Sequence, residues 1–203
     1  EEVYFAGNSF FNIFTYQLLA GNKNTALKEP YTAALSESTA KKIFGTTNII
    51  GKPLQLNRNN SYTITAVYKD APVNTQLKPD MLLSYSTFVK QTTDSSGNGP
   101  ETAWQWDGCL TYLLLHKGAD PATVEKKFVP VVEKFTAEEM KKFNAAVEYH
   151  LQPLKDIHLN SHYIGEPGET GDGKTVYLLL GIAFFIVVIA WVNYINLATA
   201  RAL

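Results

Sequence analysis

Near its end the chain carries the run Val176-Tyr-Leu-Leu-Leu-Gly-Ile-Ala-Phe-Phe-Ile-Val-Val-Ile-Ala-Trp-Val192, seventeen consecutive apolar or aromatic residues. No Asp, Glu, Lys or Arg lies between Lys174 and Arg201. In a helix that rises about 1.5 Å per residue, the run extended to Ala198 covers the roughly 30 Å of a bilayer's hydrocarbon layer. The run therefore predicts a membrane-spanning helix, with a fully buried core helix as the alternative. Its position near the C-terminus excludes a signal peptide.

Aromatic and charged residues at the two ends of this run predict how it sits in a membrane. Tyr177 lies near one end and Trp191 and Tyr194 near the other, where aromatic side chains meet the membrane interface. Acidic residues precede the run and Arg201 follows it. Because basic residues favour the cytoplasmic side, we expect residues 1–172 to lie outside the cytoplasm. We assign all four of these aromatic and basic residues to the membrane interface.

The composition of the whole chain excludes several classes of protein. The 203 residues are 45% hydrophobic, 18% charged and 12% aromatic, which is typical of a folded chain rather than a disordered one. The 18 basic residues nearly balance the 19 acidic ones, so a surface that coats nucleic acid is not expected. Cys109 is the single cysteine, which excludes an internal disulfide and a cysteine-based metal cluster.

The first 170 residues alternate between short strand-like and helix-like segments. Apolar patterning predicts strands over residues 3–6, 33–35, 54–57, 62–68, 81–85, 110–116 and 146–151, with a hairpin turn at Asn59-Asn60. Helical spacing predicts helices over residues 10–18, 37–44, 121–135 and 136–144, and Pro130 should kink or split the third. Ser36, Asp120 and Thr136 are the expected N-caps of the last three helices. Gly45 should end the second, with Ile43 on its buried face. Since strands and helices do not alternate strictly, we expect an α+β fold rather than a doubly wound sheet.

Gly168-Glu-Thr-Gly-Asp-Gly-Lys-Thr175 matches the pattern of a nucleotide-binding phosphate loop, G-x-x-x-x-G-K-[ST]. A true phosphate loop follows a buried strand, whereas Ser161-His-Tyr-Ile-Gly-Glu-Pro167 precedes this one. Glu169 and Asp172 would also place carboxylates inside the phosphate cradle. We therefore interpret the motif as a glycine-rich loop before the membrane helix, with Asp172 as the helix cap.

The remaining polar residues predict no catalytic, cofactor-binding or metal site. His158 and His162 have the spacing of a zinc-binding pair, but only Glu166 or Glu169 could supply a third ligand, and surface histidines in a turn are favoured. The nucleophile-elbow pattern G-x-S-x-G is absent from the sequence.

Trp104 and Trp106 follow the polar segment 91–100 and are our candidates for binding a partner. Tryptophan is enriched at protein interfaces, although burial in the core is the alternative for both.

Seven stretches resemble, in the same order, the MacB-like periplasmic core domain and the membrane helix that follows it in FtsX-like permeases, above all those of Bacteroidetes-type bacteria. Two of them are Ala34-Leu-Ser-Glu-Ser-Thr-Ala-Lys-Lys-Ile-Phe-Gly45 and Thr111-Tyr-Leu-Leu-Leu-His-Lys-Gly-Ala-Asp-Pro121. The others are residues 3–14, 50–54, 62–70, 151–159 and 193–203.

The resemblance implies a non-catalytic permease subunit of an ABC transporter in the bacterial cytoplasmic membrane. Residues 1–172 would be the periplasmic domain without its N-terminal part, 173–198 the membrane helix and 199–203 the start of a cytoplasmic segment. The implied partners are a cytoplasmic ATPase, a second permease copy, and a periplasmic protein or exported substrate. The implied role is to transmit ATP-driven motion for export, lipoprotein extraction or control of periplasmic partners.

A ligand-sensing domain of a membrane-anchored signalling receptor is the alternative function. Such a domain also precedes a membrane helix, but a signalling module rather than further membrane spans would follow it.

The interpretation of residues 168–175 predicts that Mg-ATP does not bind to this chain. Calorimetry with Mg-ATP should give no binding heat that Lys174→Ala removes. A micromolar affinity that this substitution abolishes would contradict the permease interpretation and favour a nucleotide-binding protein.

Overall fold

The fold is organised around one central strand, β3 (Thr32–Ser36), in which every residue is buried. The computed structural model describes residues 2–57, 60–104, 108–161, 163, 168 and 171–202. The strands are β1 (Val3–Ala6), β2 (Leu18–Gly21), β3, β4 (Pro53–Asn57), β5 (Asn60–Tyr68) and β6 (Met81–Ser84). The helices are α1 (Phe10–Ile13), α2 (Glu37–Phe44), α3 (Tyr85–Thr92), α4 (Pro121–Phe143), α5 (Ile157–Asn160) and α6 (Gly173–Ala202), with a 3-10 turn at Leu154–Asp156.

The six strands form one mixed sheet in the order β1-β6-β3-β5-β2, and β4 also pairs with β5. β3 is parallel to β5 and antiparallel to β6, and β1 is parallel to β6. β4 pairs with the first half of β5 and β2 with the second half, both antiparallel. β1 therefore forms one edge of the sheet.

Side chains alternate between two cores on opposite faces of the sheet, as strand geometry requires. Ala33 and Leu35 of β3 belong to the first core, which also contains Ala40 of α2. Ala34 belongs to the second core, together with Phe10 and Phe11 of α1. Both faces of the sheet are thus covered, which explains why β3 and β6 are buried on both sides.

The prediction for α2 is confirmed at both ends. The Ser36 hydroxyl accepts the Thr39 N–H at 3.3 Å, and Gly45 ends the helix in the left-handed conformation with φ 72°. The predicted strands at residues 3–6, 33–35, 54–57 and 62–68 are also confirmed. Asn59 of the predicted hairpin turn lies outside the described residues. Ile43, expected on the buried face of α2, is exposed instead.

The predicted helix over residues 10–18 is wrong beyond Ile13. Phe14 is extended, and Leu18 begins β2 because it pairs with Tyr68 of β5. Strand β6 ends at Ser84 rather than Tyr85, and the unpredicted helix α3 begins there.

Of the kink or split predicted at Pro130, the split is wrong, since α4 runs without interruption from Pro121 to Phe143. Pro130 and Lys126 are exposed, so water can bond the Lys126 carbonyl that Pro130 leaves without a donor. Thr136, predicted to cap a new helix, is buried inside α4, where its hydroxyl donates to the Val132 carbonyl at 2.8 Å. The cap at Asp120 is confirmed by its bond to the Thr123 N–H at 3.0 Å.

The two strands predicted over residues 110–116 and 146–151 do not form. Leu110, Leu113 and Leu114 are exposed instead. A strand-like pattern of side chains is not sufficient to form a strand, because the segment also needs a neighbouring strand whose N–H and C=O groups can bond to it. The expected α+β class is nevertheless confirmed.

The described chain divides into two compact units between Leu151 and Gln152. The sheet, its two cores and α4 belong to the first unit. The second unit comprises the 3-10 turn, α5 and α6.

Gly21 and Gly45 offer a matched pair of substitutions that test the close packing of β2 on β5. Both have positive φ, but a Cβ at Gly45 meets open space, whereas one at Gly21 overlaps the Thr65 carbonyl and lies 2.8 Å from Ala66 Cα. We expect Gly45→Ala to lower the free energy of unfolding by about 1–2 kcal/mol. Gly21→Ala should cost about 2–5 kcal/mol, since overpacking adds to the same strain.

Urea unfolding followed by circular dichroism measures both values. Equal losses for the two variants would show that the backbone conformation alone, and not the contact between β2 and β5, sets the cost at Gly21.

Candidate functional site: a membrane helix and its junction

The longest helix, α6, has a surface suited to lipid rather than to water. Residues 173–201 have a mean hydropathy of 2.6 over the best 18-residue window, and none of that window is buried. At about 1.5 Å per residue, its 30 residues extend about 45 Å, which exceeds the hydrocarbon thickness of a bilayer. Length and composition make α6 a candidate membrane span, and the absence of buried residues from its most apolar window argues against the alternative of a buried core helix.

The residues that the sequence assigns to the membrane interface all lie on α6. Tyr177, Trp191 and Tyr194 are each more than two-thirds exposed, and Arg201 lies in the last turn. Fourteen helical steps separate Tyr177 from Trp191, which corresponds to about 21 Å along the axis. Their assignment to the interface stays a prediction.

Asp172 caps the start of α6. Its carboxylate accepts the Lys174 N–H at 3.0 Å and the Thr175 hydroxyl at 2.8 Å, and its carbonyl accepts the Val176 N–H at 3.1 Å. The Lys174 N–H and the Thr175 hydroxyl are donors that a bound phosphate would need in a true phosphate loop, and here the Asp172 carboxylate accepts from both. Residues 169 and 170 of the motif lie outside the described residues.

A short, closely packed junction precedes α6. The Gly171 N–H donates to the His158 carbonyl at 2.7 Å, which fastens the start of α6 to α5. A Cβ at Gly173 would lie 3.2 Å from the Leu159 carbonyl oxygen and 3.3 Å from Asn160 Oδ1, so the first residue of α6 contacts α5 directly.

Ser161, directly after α5, bonds back to the first residue of the second unit. It is fully buried, and its hydroxyl donates to Gln152 Oε1 at 3.2 Å. Sequence reasoning missed both α5 and the role of Ser161, although the short Pro153-Leu-Lys-Asp-Ile-His-Leu159 segment could have indicated a compact turn. Tyr163, two residues after Ser161, is 70% exposed, so its ring adds little to the packing of the junction.

The two predicted partner-binding tryptophans have different outcomes. The Trp104 ring stacks on Phe135 of α4 with centroids 4.4 Å apart and an interplanar angle of 7°, and it remains 37% exposed. Trp106 lies outside the described residues. Trp104 therefore packs against Phe135 and remains partly exposed, and its role in binding stays a prediction.

Three groups with shifted pKa values make hydrogen bonds within the fold, those of Tyr16, Tyr68 and Asp120. Burial raises the pKa of Tyr16 to about 12 and shifts that of Tyr68 further upward. Both hydroxyls donate to backbone carbonyls, those of Leu77 and Pro79 respectively. The hydroxyl and N–H of Thr123 lower the pKa of the capping Asp120.

Histidine and carboxylate side chains do not assemble into a metal site in the part of the chain that the structure describes. His158 lies on α5, where its carbonyl holds Gly171, while His162 lies outside the described residues. The geometry around His158 thus assigns it a structural contact in the junction.

Comparisons with known proteins identify the domain. A family model for the MacB-like periplasmic core domain matches residues 1–131. Among solved structures, the chain is similar to a domain of a protein assigned as a permease from Porphyromonas gingivalis, with 23% identity, a TM-score of 0.57, and coverage of 86% of this chain and 67% of that one. It also aligns with the periplasmic region of MacB from Actinobacillus actinomycetemcomitans, with 15% identity, a TM-score of 0.41, and coverage of 70% and 64%. No curated protein sequence matches the chain significantly.

The family model covers well over half of the chain, and the structural similarity supports the same fold. The chain therefore belongs to the family of MacB-like periplasmic core domains, which are parts of permease-type proteins of ABC transporters.

Proposed function

We propose that this chain is part of a non-catalytic ABC transporter subunit, whose periplasmic domain passes ATP-driven motion through α6. Residues 1–172 would lie in the periplasm, 173–198 would span the bacterial cytoplasmic membrane, and 199–203 would begin a cytoplasmic segment. The hydrogen bond from the Gly171 N–H to the His158 carbonyl carries the proposal, because it fastens the candidate span to the element before it.

A junction transmits displacement only if it is stiff, because a flexible junction bends and absorbs the motion. Glycine normally makes a chain flexible, and the sequence around residues 165–173 is rich in it. In the structure, Gly171 is hydrogen-bonded and Gly173 is buried against α5. These contacts offset the intrinsic flexibility and allow α5 and the first turn of α6 to move together.

The proposed partners are a cytoplasmic ATPase, a second copy of the permease, and a periplasmic protein or exported substrate. Trp104, which is 37% exposed, is our candidate contact for the periplasmic partner. Export, lipoprotein extraction and control of periplasmic partners are the outputs that this arrangement could serve. The near-neutral charge of −1 gives no support to nucleic acid as a partner.

A flexible insertion tests whether motion passes through the junction. Ten Gly-Ser residues inserted after Gly173 in the full permease should leave complex assembly and basal ATP hydrolysis intact but abolish the periplasmic output. The same insertion after Ser96, in an exposed polar loop, should leave all three unchanged.

Export or partner activation that survives the insertion after Gly173 would exclude transmission through this junction. A passive ligand-sensing domain would then be the better account of the fold.

Valine substitutions within α6 test the packing of the junction more locally. Gly173→Val should push α5 away from α6, because the backbone carbonyl of Leu159 cannot yield easily, and overpacking of this kind costs about 1–3 kcal/mol. We expect a several-fold loss of periplasmic output relative to ATP hydrolysis. Gly181→Val is the matched control, since no atom lies within 4 Å of a Cβ at that position.

Membrane insertion of both valine variants should be equal in a carbonate-extraction assay. Equal periplasmic output from the two variants would contradict a mechanical role for the contact between Gly173 and α5.

A further inference from the structure

Helix α6 repeats its residue types every seven positions. Three aromatic residues, Tyr177, Phe184 and Trp191, follow one another at intervals of seven. On the opposite side of the helix, a row of positions alternates in steps of four and three, which places its members along one line of the helix surface. The members of this row, called the seam below, are Thr175, Leu179, Ile182, Ile186, Ile189, Asn193, Asn196 and Ala200.

A seam with this period is the pattern by which two helices pack along their length. A repeat of 3.5 residues keeps two helices in contact while they wrap around each other with a left-handed twist, and branched apolar side chains fit between those of the partner. The centre of the seam consists of Ile182, Ile186 and Ile189, which are 49%, 61% and 61% exposed. The part of the seam best suited to packing is therefore exposed.

The aromatic residues occupy the heptad position farthest from the seam. In a packed pair of helices that position faces lipid, where tyrosine and tryptophan rings reach the membrane interface. Phe184, midway between Tyr177 and Trp191, would contact the acyl chains. The two faces of α6 thus differ in composition along most of its length, whereas a helix surrounded by lipid on all sides needs no such difference.

Two amide side chains interrupt the apolar seam. Asn193 and Asn196 lie about 24 and 29 Å along the axis from Tyr177, within a hydrocarbon layer of roughly 30 Å. Neither amide forms a hydrogen bond with the residues that the structure describes. The Thr199 hydroxyl, by contrast, donates to the Ile195 carbonyl at 2.9 Å, so the helix itself satisfies it. Because an unpaired amide is costly in hydrocarbon, the two asparagines indicate a partner with polar groups at the same depth.

A second copy of α6 has the complementary chemistry. An amide carries a donating NH₂ group and an accepting carbonyl oxygen, so one asparagine can pair with another. Two copies of one protein cross a membrane in the same direction, so that equal positions of their seams meet at equal depth. The seam contains no Asp, Glu, Lys or Arg, so the copies meet without like-charge repulsion.

We propose that α6 pairs in parallel with α6 of a second copy along this seam, and that Asn193 and Asn196 hydrogen-bond to their counterparts. A shift of one helix along the other would leave the amides unpaired, so the asparagines also fix the register of the pair. This inference rests on the proposed function only for the second copy of the permease.

Disulfide cross-linking of the full-length protein in lipid vesicles tests which face of α6 meets the second copy. In a Cys109→Ser background, Ile189→Cys places a thiol on the seam. Val188→Cys is the matched control, because it lies at nearly the same depth but about 100° around the helix. We expect oxidation to link two copies at least fivefold faster through position 189 than through position 188. Equal rates, or faster linking through position 188, would overturn the proposal.

Leucine substitutions test the amides. Asn193→Leu combined with Asn196→Leu keeps α6 apolar enough to insert, and should weaken association of the two copies by about threefold or more through the lost hydrogen bonds. Thr199→Val is the control and should leave association unchanged, since its hydroxyl bonds within its own helix. Energy transfer between labelled copies, followed as the lipid-to-protein ratio rises, measures association. Unchanged association in the leucine variant, or an equal loss in Thr199→Val, would overturn the proposal.

The mass of the protein in lipid nanodiscs separates failure of this inference from failure of the proposed function. A dimer that links no faster through position 189 than through position 188 would overturn pairing along the seam and leave the second copy in place. A monomer would overturn both. None of these measurements needs the ATPase.

Discussion

The exposed apolar surface of α6 is the physical constraint that decides where this protein can reside. A helix of 30 residues whose most apolar window is entirely exposed has no favourable environment in water. A bilayer provides one, because the helix satisfies its own backbone and presents only side chains to lipid. The contacts of Gly171 and Gly173 with α5 then determine how firmly the first turn of α6 is joined to the element before it.

Close packing in the junction gives its glycines a role that sequence alone did not indicate. Glycine-rich sequence predicts a flexible linker, since glycine has the largest conformational freedom in the unfolded chain. Here Gly171 and Gly173 allow α5 and the start of α6 to approach so closely that a Cβ at either position would lie 3.2–3.3 Å from an atom of Leu159. A glycine in a solvated loop makes the backbone flexible. A glycine in a packed segment instead allows a neighbouring element to come close to the backbone.

Elements determined by local interactions could be predicted from the sequence, and those determined by distant pairing could not. Helix α2 carries its own start and stop signals in Ser36 and Gly45, and β3 is recognisable from its unbroken small apolar residues. Leu18–Gly21 becomes a strand only because β5 offers it a partner. The same distinction applies to the candidate site. The composition of α6 was sufficient to predict a candidate membrane span. Helix α5 and the burial of Ser161 depend on contacts between segments, so the sequence did not indicate them.

The segment after Gly108 shows the same division from the other side. Its leucines give it a β-strand pattern, yet Leu110, Leu113 and Leu114 are exposed, and none of the described strands includes them. A strand forms only where a neighbour offers N–H and C=O groups in register, so the side-chain pattern of a segment predicts its tendency and not its pairing. The same reasoning explains why Leu18–Gly21, whose pattern predicts a helix, becomes a strand beside β5.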